Sequence, residues 1–180
     1  MAKTIEFMHF VSADEIRPQI ECAFLAEREA ILQAVPGVDV QHNGSSAVPG
    51  SLTKGDLDMQ VRVPECRMAE AVAALAPRYH VNHPDMWTPR FALYERYEEA
   101  VPVGVVITAI GSEYDTYHVV REVFKRNGWL RDAYNAIKRA HEGLPEPDYR
   151  KAKDDFFKHH RDFIARYVVS PCLLTDPDEQ

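Results

Sequence analysis

No apolar run in this 180-residue chain approaches the roughly 20 residues that a membrane-spanning helix needs. The longest, Val101 to Ile110, is broken by Pro102 and Gly104 and reads as a buried strand. Met1-Ala2-Lys3-Thr4 does not open the apolar segment of a secretory signal. Cysteine is scarce: Cys22, Cys66 and Cys172 are odd in number and far apart, which argues against a disulfide framework or a zinc knuckle and for reduced, cytoplasmic thiols. Positive charge is short as well. Lys and Arg number 21 against 28 Asp and Glu, and the formal net charge of −7 argues against general affinity for a nucleic-acid backbone. What is present is a hydrophobic fraction of 46%, ordinary for a globular domain with one buried core. The expectation is a soluble, cytoplasmic protein in which a local basic cluster still suits a phosphorylated small molecule.

Asp14 to Val35 reads as the first long helix: Ile16, Ile20, Ala23, Phe24, Ile31 and Ala34 return at helical spacing, and Pro36-Gly37 stops it. Val38 to His42 alternates as a short strand, and Asn43 to Gly55 is a loop rich in Gly, Ser and Pro. Asp56 to Val63 alternates again, with Leu57, Met59, Val61 and Val63 on one face. Pro64 then opens an Ala-rich helix to about Leu75. Tyr79 to Val81, Phe91 to Arg96 and Val103 to Ile110 read as three more strands, the last apolar on both faces. From Gly111 the period turns helical, over Tyr114 to Asn127, Trp129 to His141 and Asp148 to Val169. The expected class is α+β: a mixed sheet flanked by helices over residues 1–112, a helical region packed on it over 113–170, and an acidic tail at 171–180.

The stretch from His42 to Met59 carries the chemistry. Asp56 and Asp58, two apart on a strand, project from one face while Leu57 and Met59 enter the core. Two carboxylates held so close repel, and the usual remedies are a raised pKa or a bound cation. A hard divalent ion, Mg²⁺ or Mn²⁺, suits such oxygen ligands, with waters and substrate phosphates completing its shell. Upstream, Gly44-Ser45-Ser46 lies at a strand end, where glycine lets a phosphate approach the backbone and serine hydroxyls can donate to it. Each part alone has a bland reading, a turn for Gly-Ser and a solvated face for Asp-x-Asp. Together they match what phosphoryl or nucleotidyl transfer requires.

Gly44-Ser45, a gap of about ten residues, and then Asp56-Leu57-Asp58-Met59 resembles the nucleotidyltransferase superfamily signature. The block His42-Asn43-Gly44-Ser45-Ser46-Ala47-Val48-Pro49-Gly50, with Lys54 and Asp58, resembles more narrowly the GrpB family, a branch of that fold. The likeness continues through Gly111-Ser112, Arg121-Glu122, Lys125, Tyr134 with Lys138, and Tyr149 with Lys153. It implies a nucleotidyltransferase-like sheet. It also implies histidines on the strand before Gly111, where this chain has Gly104, Val105 and Val106, and a third carboxylate on a later strand, where Val103 to Ile110 holds no acid. Glu95, Glu98 and Glu99 are near in sequence, but nothing in the sequence brings them to the site.

Further residues admit two readings each. His42 either orients a phosphate or is structural, and Lys54 either neutralises phosphate or is a solvated loop lysine. Arg121 and Lys125, four apart on one helix face, suit a polyphosphate or a surface ion pair. His159-His160 with Asp155 and Asp162 reads as a solvated face, since adjacent helical residues point about 100° apart. Trp87 is a packing residue or a base-stacking one. Three functions compete: metal-dependent nucleotidyl transfer from a nucleoside triphosphate to an unknown small-molecule acceptor, a non-catalytic nucleotide-binding or regulatory protein, and an interaction module.

Overall fold

The computed structural model describes residues 7–97 and 100–170, so the acidic tail, Cys172, Glu98 and Glu99 lie outside the described residues. Among the described residues no helix is long and apolar enough to cross a membrane. The first helix, α1 (Arg17–Ala34), begins three residues later than its periodicity predicts, with Pro18 in its first turn. Asp14 is used elsewhere: its carboxylate accepts the Gly50 N–H at 2.9 Å and pairs with Arg17. A short ladder that periodicity misses, β1 (Val11–Ser12) against β3 (Leu52–Thr53), clips the glycine-rich loop to the N-terminal segment.

The main sheet contains β2 (Asp39–Asn43), β4 (Leu57–Val63), β5 (His80–Val81), β6 (Phe91–Arg96) and β7 (Val103–Ala109). Its order is β2-β4-β7-β6-β5, with β4 and β7 parallel and the other pairs antiparallel. The strand predicted from Asp56 begins at Leu57, whose N–H bonds the Pro102 carbonyl at 2.8 Å. The helix predicted from Pro64 opens as a 3₁₀ turn, Glu65–Arg67, before α2 (Met68–Leu75). Leu57, Met59, Val61 and Val63 join Val103, Val105 and Ile107 on the back face, packed with Ile20, Ile31, Ala71 and Leu75 of α1 and α2. Each buried Val, Leu, Ile or Met side chain of this set contributes about 1.5–3 kcal/mol.

The front face is polar at its centre. It carries Asp58, Gln60 and Arg62 on β4, and α3 (Tyr117–Arg126), α4 (Gly128–Ala140) and α5 (Glu146–Val169) follow in the chain. These helices share a second core of Val119, Val123, Phe124, Leu130, Tyr134 and Phe156, into which Val48 of the glycine-rich loop inserts. The predicted start of α3 at Tyr114 gives way to a turn because Asp115 is engaged. It accepts the Gly111 N–H at 2.9 Å and two bonds from Arg62 at 2.7 Å. Gln60, fully buried, donates to Thr108 Oγ1 at 2.9 Å and accepts the His118 N–H at 3.1 Å, so the start of α3 is fastened to the front face.

Candidate functional site

The site forms where β2 ends. Asn43 is the last residue of the strand, and Gly44 turns the chain at φ 70°. A Cβ at Gly44 would stand 2.0 Å from Asp58 Oδ2, so the loop crosses the carboxylate only because that atom is missing. Ser45–Ala47 forms a 3₁₀ turn that sends the two serines opposite ways. Ser45 lines the cleft, and its Oγ accepts a bond from Lys138 Nζ at 2.6 Å. Ser46 is only 7% exposed and pairs with His42 Nε2 at 3.1 Å.

Two cavities of about 420 and 500 Å³ meet at Asp58, and both are also lined by Ser45, Asn82, Gly104, Tyr134 and Lys153. The first runs beneath α3, with Leu93, Val106, Val120, Phe124 and Phe157 as its apolar wall. The second is charged: Lys54, Asp56, Glu95, Lys138, Arg150 and Lys153 face it. A chamber apolar at one end and charged at the other, with a carboxylate at the join, suits a ligand with an apolar body and an ionic tail.

Electrostatics follow from this enclosure. Asp58 opens to the cavities but is ringed by protein on its other sides. Burial first, and the Asp56 carboxylate second, push its pKa up to about 6. Burial first, and the Lys153 cation second, lower Lys138 to about 7. That lysine is 2% exposed, donates to Leu52 O as well as Ser45, and sits 4.2 Å over the Tyr134 ring. Tyr117, beside Asp58, is raised to about 12 by burial and then by that carboxylate.

Of the residues singled out from sequence, Gly44, Ser45, Lys54, Asp56, Asp58 and Arg121 line the cavities. Lys54 Nζ lies 3.5 Å from Asp56 Oδ2. Arg121 donates to the His42 carbonyl at 2.7 Å and to Gln41, tying α3 to β2. Three others stand outside. His42 is in register with Met59, on the back face, and stacks on Phe24. Ser46 turns toward it, and Lys125 pairs with Glu122 at 3.2 Å. Trp87 packs on Tyr94 and donates to the Asn82 carbonyl. His160 stacks on Phe156. Lys153 belongs, with Tyr134 and Tyr149, to the helical residues that the sequence offers as candidate contributors to the site, and it lines both cavities. Lys138, Tyr117 and Asn43 carry no site role in the sequence, where Lys138 enters only through its pairing with Tyr134 in the family likeness.

Asp56 and Asp58 would hold a hard cation. Among the described residues no three His, Cys, Asp or Glu side chains already stand as a metal cluster. Two carboxylates suffice for Mg²⁺, which keeps several waters and takes the rest of its shell from phosphates. The raised Asp58 and the side-chain-free space on either side of it, at Gly44 and Gly104, fit such an ion.

Residues 11–162 match the family described as GrpB protein. A UPF0157 protein of Vibrio cholerae is 27% identical over 152 residues, 84% of this chain and 80% of that one. The conserved protein GrpB from Enterococcus faecalis superposes with a TM-score of 0.66 at 16% identity, over 91% of this chain and 99% of that one. A cytoplasmic RNA terminal U-transferase superposes more distantly, with a TM-score of 0.49 at 12% identity, over 70% of this chain and 38% of that one. The fold is α+β and is shared with the Enterococcus faecalis GrpB protein. With the family match running from β1 into α5, the protein belongs to the GrpB family.

Proposed function

We propose that the protein transfers a nucleotidyl group from a nucleoside triphosphate to a small-molecule acceptor with the help of Mg²⁺ or Mn²⁺. The observation that carries this reading is the meeting of two cavities at Asp58, one apolar and one lined by charges of both signs, beside the Gly44-Ser45 turn. Asp56 and Asp58 hold the metal, which when bound neutralises charge on the phosphates and polarises the α-phosphorus. Ser45 and the backbone of the turn orient the phosphate chain. Lys54, Lys138 and Lys153 balance its charge from three sides. The acceptor's hydroxyl forms a bond to the α-phosphorus as the bond to the pyrophosphate oxygen breaks. Pyrophosphate leaves as an anion and the hydroxyl proton passes to solvent. In this reading Arg121 acts indirectly, by holding the His42–Gly44 strand end against α3.

A second reading, nucleotide binding without turnover, is favoured by one observation. The β7 residue in register with Asp58 is Gly104, and no carboxylate stands on that strand. Calorimetric titration of ATP and GTP, with and without Mn²⁺, into wild type and the Asp56→Ala/Asp58→Ala double variant tests both. We expect saturable, metal-dependent binding in wild type that weakens at least tenfold in the variant. Pyrophosphate release over an acceptor panel separates turnover from binding alone. No binding of either nucleotide at millimolar concentration removes both readings and leaves an interaction module.

A further inference from the structure

The two cavities lie on opposite sides of one row of the sheet. Register aligns Asp58 of β4 with Gly104 of β7 and Glu95 of β6 on the front face. Toward the start of β4 and β7, Asp56 and Pro102 line the charged cavity, as does Tyr97, which follows the antiparallel β6. Two residues away in the other direction, Val106 and Leu93 pair in register and floor the apolar cavity. Gly104 lines both spaces and has no side chain to divide them; a Cβ there would meet Asp58 Oδ1 at 3.3 Å. The charged and apolar spaces are thus joined end to end across Asp58.

The apolar cavity, about 420 Å³, has Leu93 and Val106 as its floor and Val120, Phe124 and Phe157 of α3 and α5 as its roof. Leu93, Val120 and Phe157 are only partly buried, so they keep apolar surface that an occupant would cover. Among the described residues, the charged side chains lining this cavity are Asp58 and Lys153, both shared with the charged one, and Arg121. Arg121 is already engaged. Its Nε donates to Glu122 at 2.7 Å, and its Nη1 to Gln41 at 3.1 Å and to the His42 carbonyl at 2.7 Å. A phosphate or carboxylate on the body of an occupant would therefore lose its water without meeting a free cation, which excludes it.

We propose that the acceptor is a small uncharged alcohol with an apolar body, lodged in this cavity with its hydroxyl at the Asp58 end. The proposal rests on the nucleotidyl-transfer reading above. In-line displacement at phosphorus sets the entering and leaving oxygens on opposite sides of the atom. Lys54, Lys138 and Lys153 draw the pyrophosphate into the charged cavity, so the entering hydroxyl arrives from the apolar one. The nucleoside is carried on an equatorial oxygen, off that line, and does not compete for the cavity. The alcohol oxygen bonds the α-phosphorus as the bond to the bridging oxygen of pyrophosphate breaks. Its proton passes to solvent through the charged cavity, and the products are a nucleoside monophosphate ester of the alcohol and pyrophosphate. An apolar body filling the cavity also keeps water from the position of attack.

Binding is read first in wild type, by saturation-transfer NMR with Mn²⁺ and α,β-methylene-ATP, whose α–β bridge cannot be cleaved. The probe is 2-phenylethanol, and 4-(2-hydroxyethyl)benzoate offers the same hydroxyl on a charged body. The expected result is saturable binding of 2-phenylethanol alongside the nucleotide, with the benzoate weaker by about tenfold or more. Leu93→Phe and Val120→Phe, which fill the cavity from floor and roof, should weaken the alcohol by about the same factor and leave calorimetric nucleotide affinity unchanged. With ATP in place of the analogue, pyrophosphate release should rise with aryl or branched alkyl alcohols that bind, and not with glycerol. Displacement of the alcohol by the nucleotide, or equal weakening of nucleotide binding in the wall variants, gives the cavity to the nucleobase and overturns the proposal. Nucleotide bound without any alcohol, a benzoate bound as tightly as 2-phenylethanol, or release stimulated by none of the bound alcohols overturns it and leaves nucleotide binding standing. Failure of the nucleotide to bind at millimolar concentration overturns the nucleotidyl-transfer reading and the acceptor assignment together, whether or not the alcohol binds. The charge comparison and the displacement use wild type alone, so they decide even where a wall variant lowers the melting temperature.

Discussion

At the scale of single residues, His42 shows how one contact redirects a plausible assignment. A histidine at the mouth of a Gly-Ser loop suggests phosphate binding, yet its ring stacks on Phe24 and props Ser46 from the far side of the sheet. Burial first, and the Arg121 guanidinium second, lower its pKa to about 4. The unfolded chain binds this proton near the ordinary value of 6.5, and the folded one only below about 4. Stability is therefore complete above pH 6.5 and falls as pH drops from there toward 4, by at most about 3 kcal/mol. Denaturant midpoints from pH 7.5 to 4 should show a steeper loss in wild type than in His42→Gln, and parallel curves would refute the assignment. The acids Asp56 and Asp58 were legible because their spacing is local. Lys138 was not, since it meets Ser45 across 93 residues of chain. Nothing in its helical neighbourhood distinguishes it from a surface lysine.

At the scale of elements, the turn after β2 is the most constrained piece of backbone in the site. Alanine at Gly44 combines a left-handed φ, costing roughly 1–2 kcal/mol, with a Cβ 2.0 Å from Asp58 Oδ2. Gly104→Ala meets the same carboxylate at 3.3 Å with no positive φ. Calorimetric unfolding should give a larger loss of melting temperature for Gly44→Ala than for Gly104→Ala. Equal losses would mean that the turn tolerates displacement of Asp58. The strands around this turn were readable from alternation to within a residue or two. The β1–β3 ladder was not, because two residues are too short for any period to register. The starts of α1 and α3 shifted because Asp14 and Asp115 bond distant backbone instead of entering their helices.

At the scale of the whole molecule, the site lies between two hydrophobic clusters, one behind the sheet and one within the C-terminal helices. A ligand that touches both the front face and α4–α5 holds them together, and binding to the folded state alone adds about 2.7 kcal/mol at a hundred times Kd. For a chain of this size that is a rise of roughly 5–10 °C in melting temperature. The rise is expected with Mn²⁺ and nucleotide together. It should shrink in Lys138→Met, which removes the buried cation that α4 contributes. A shift in wild type that persists undiminished in Lys138→Met would take α4 out of the binding site.

The local code carries a good deal: apolar alternation and helical spacing gave the order of strands and helices, glycine and proline gave the breaks, and two acids beside a Gly-Ser turn point to the chemistry proposed above. These depend on neighbours within a few residues, and so they are written in order along the chain. Sheet order, register and the face each strand presents depend on which surfaces bury together, which no short window contains. For that reason only the tertiary structure could turn Ser46 away from Ser45, bring Lys138 and Lys153 to the aspartates, and line up Asn43, Asp58, Gly104 and Glu95 in one row.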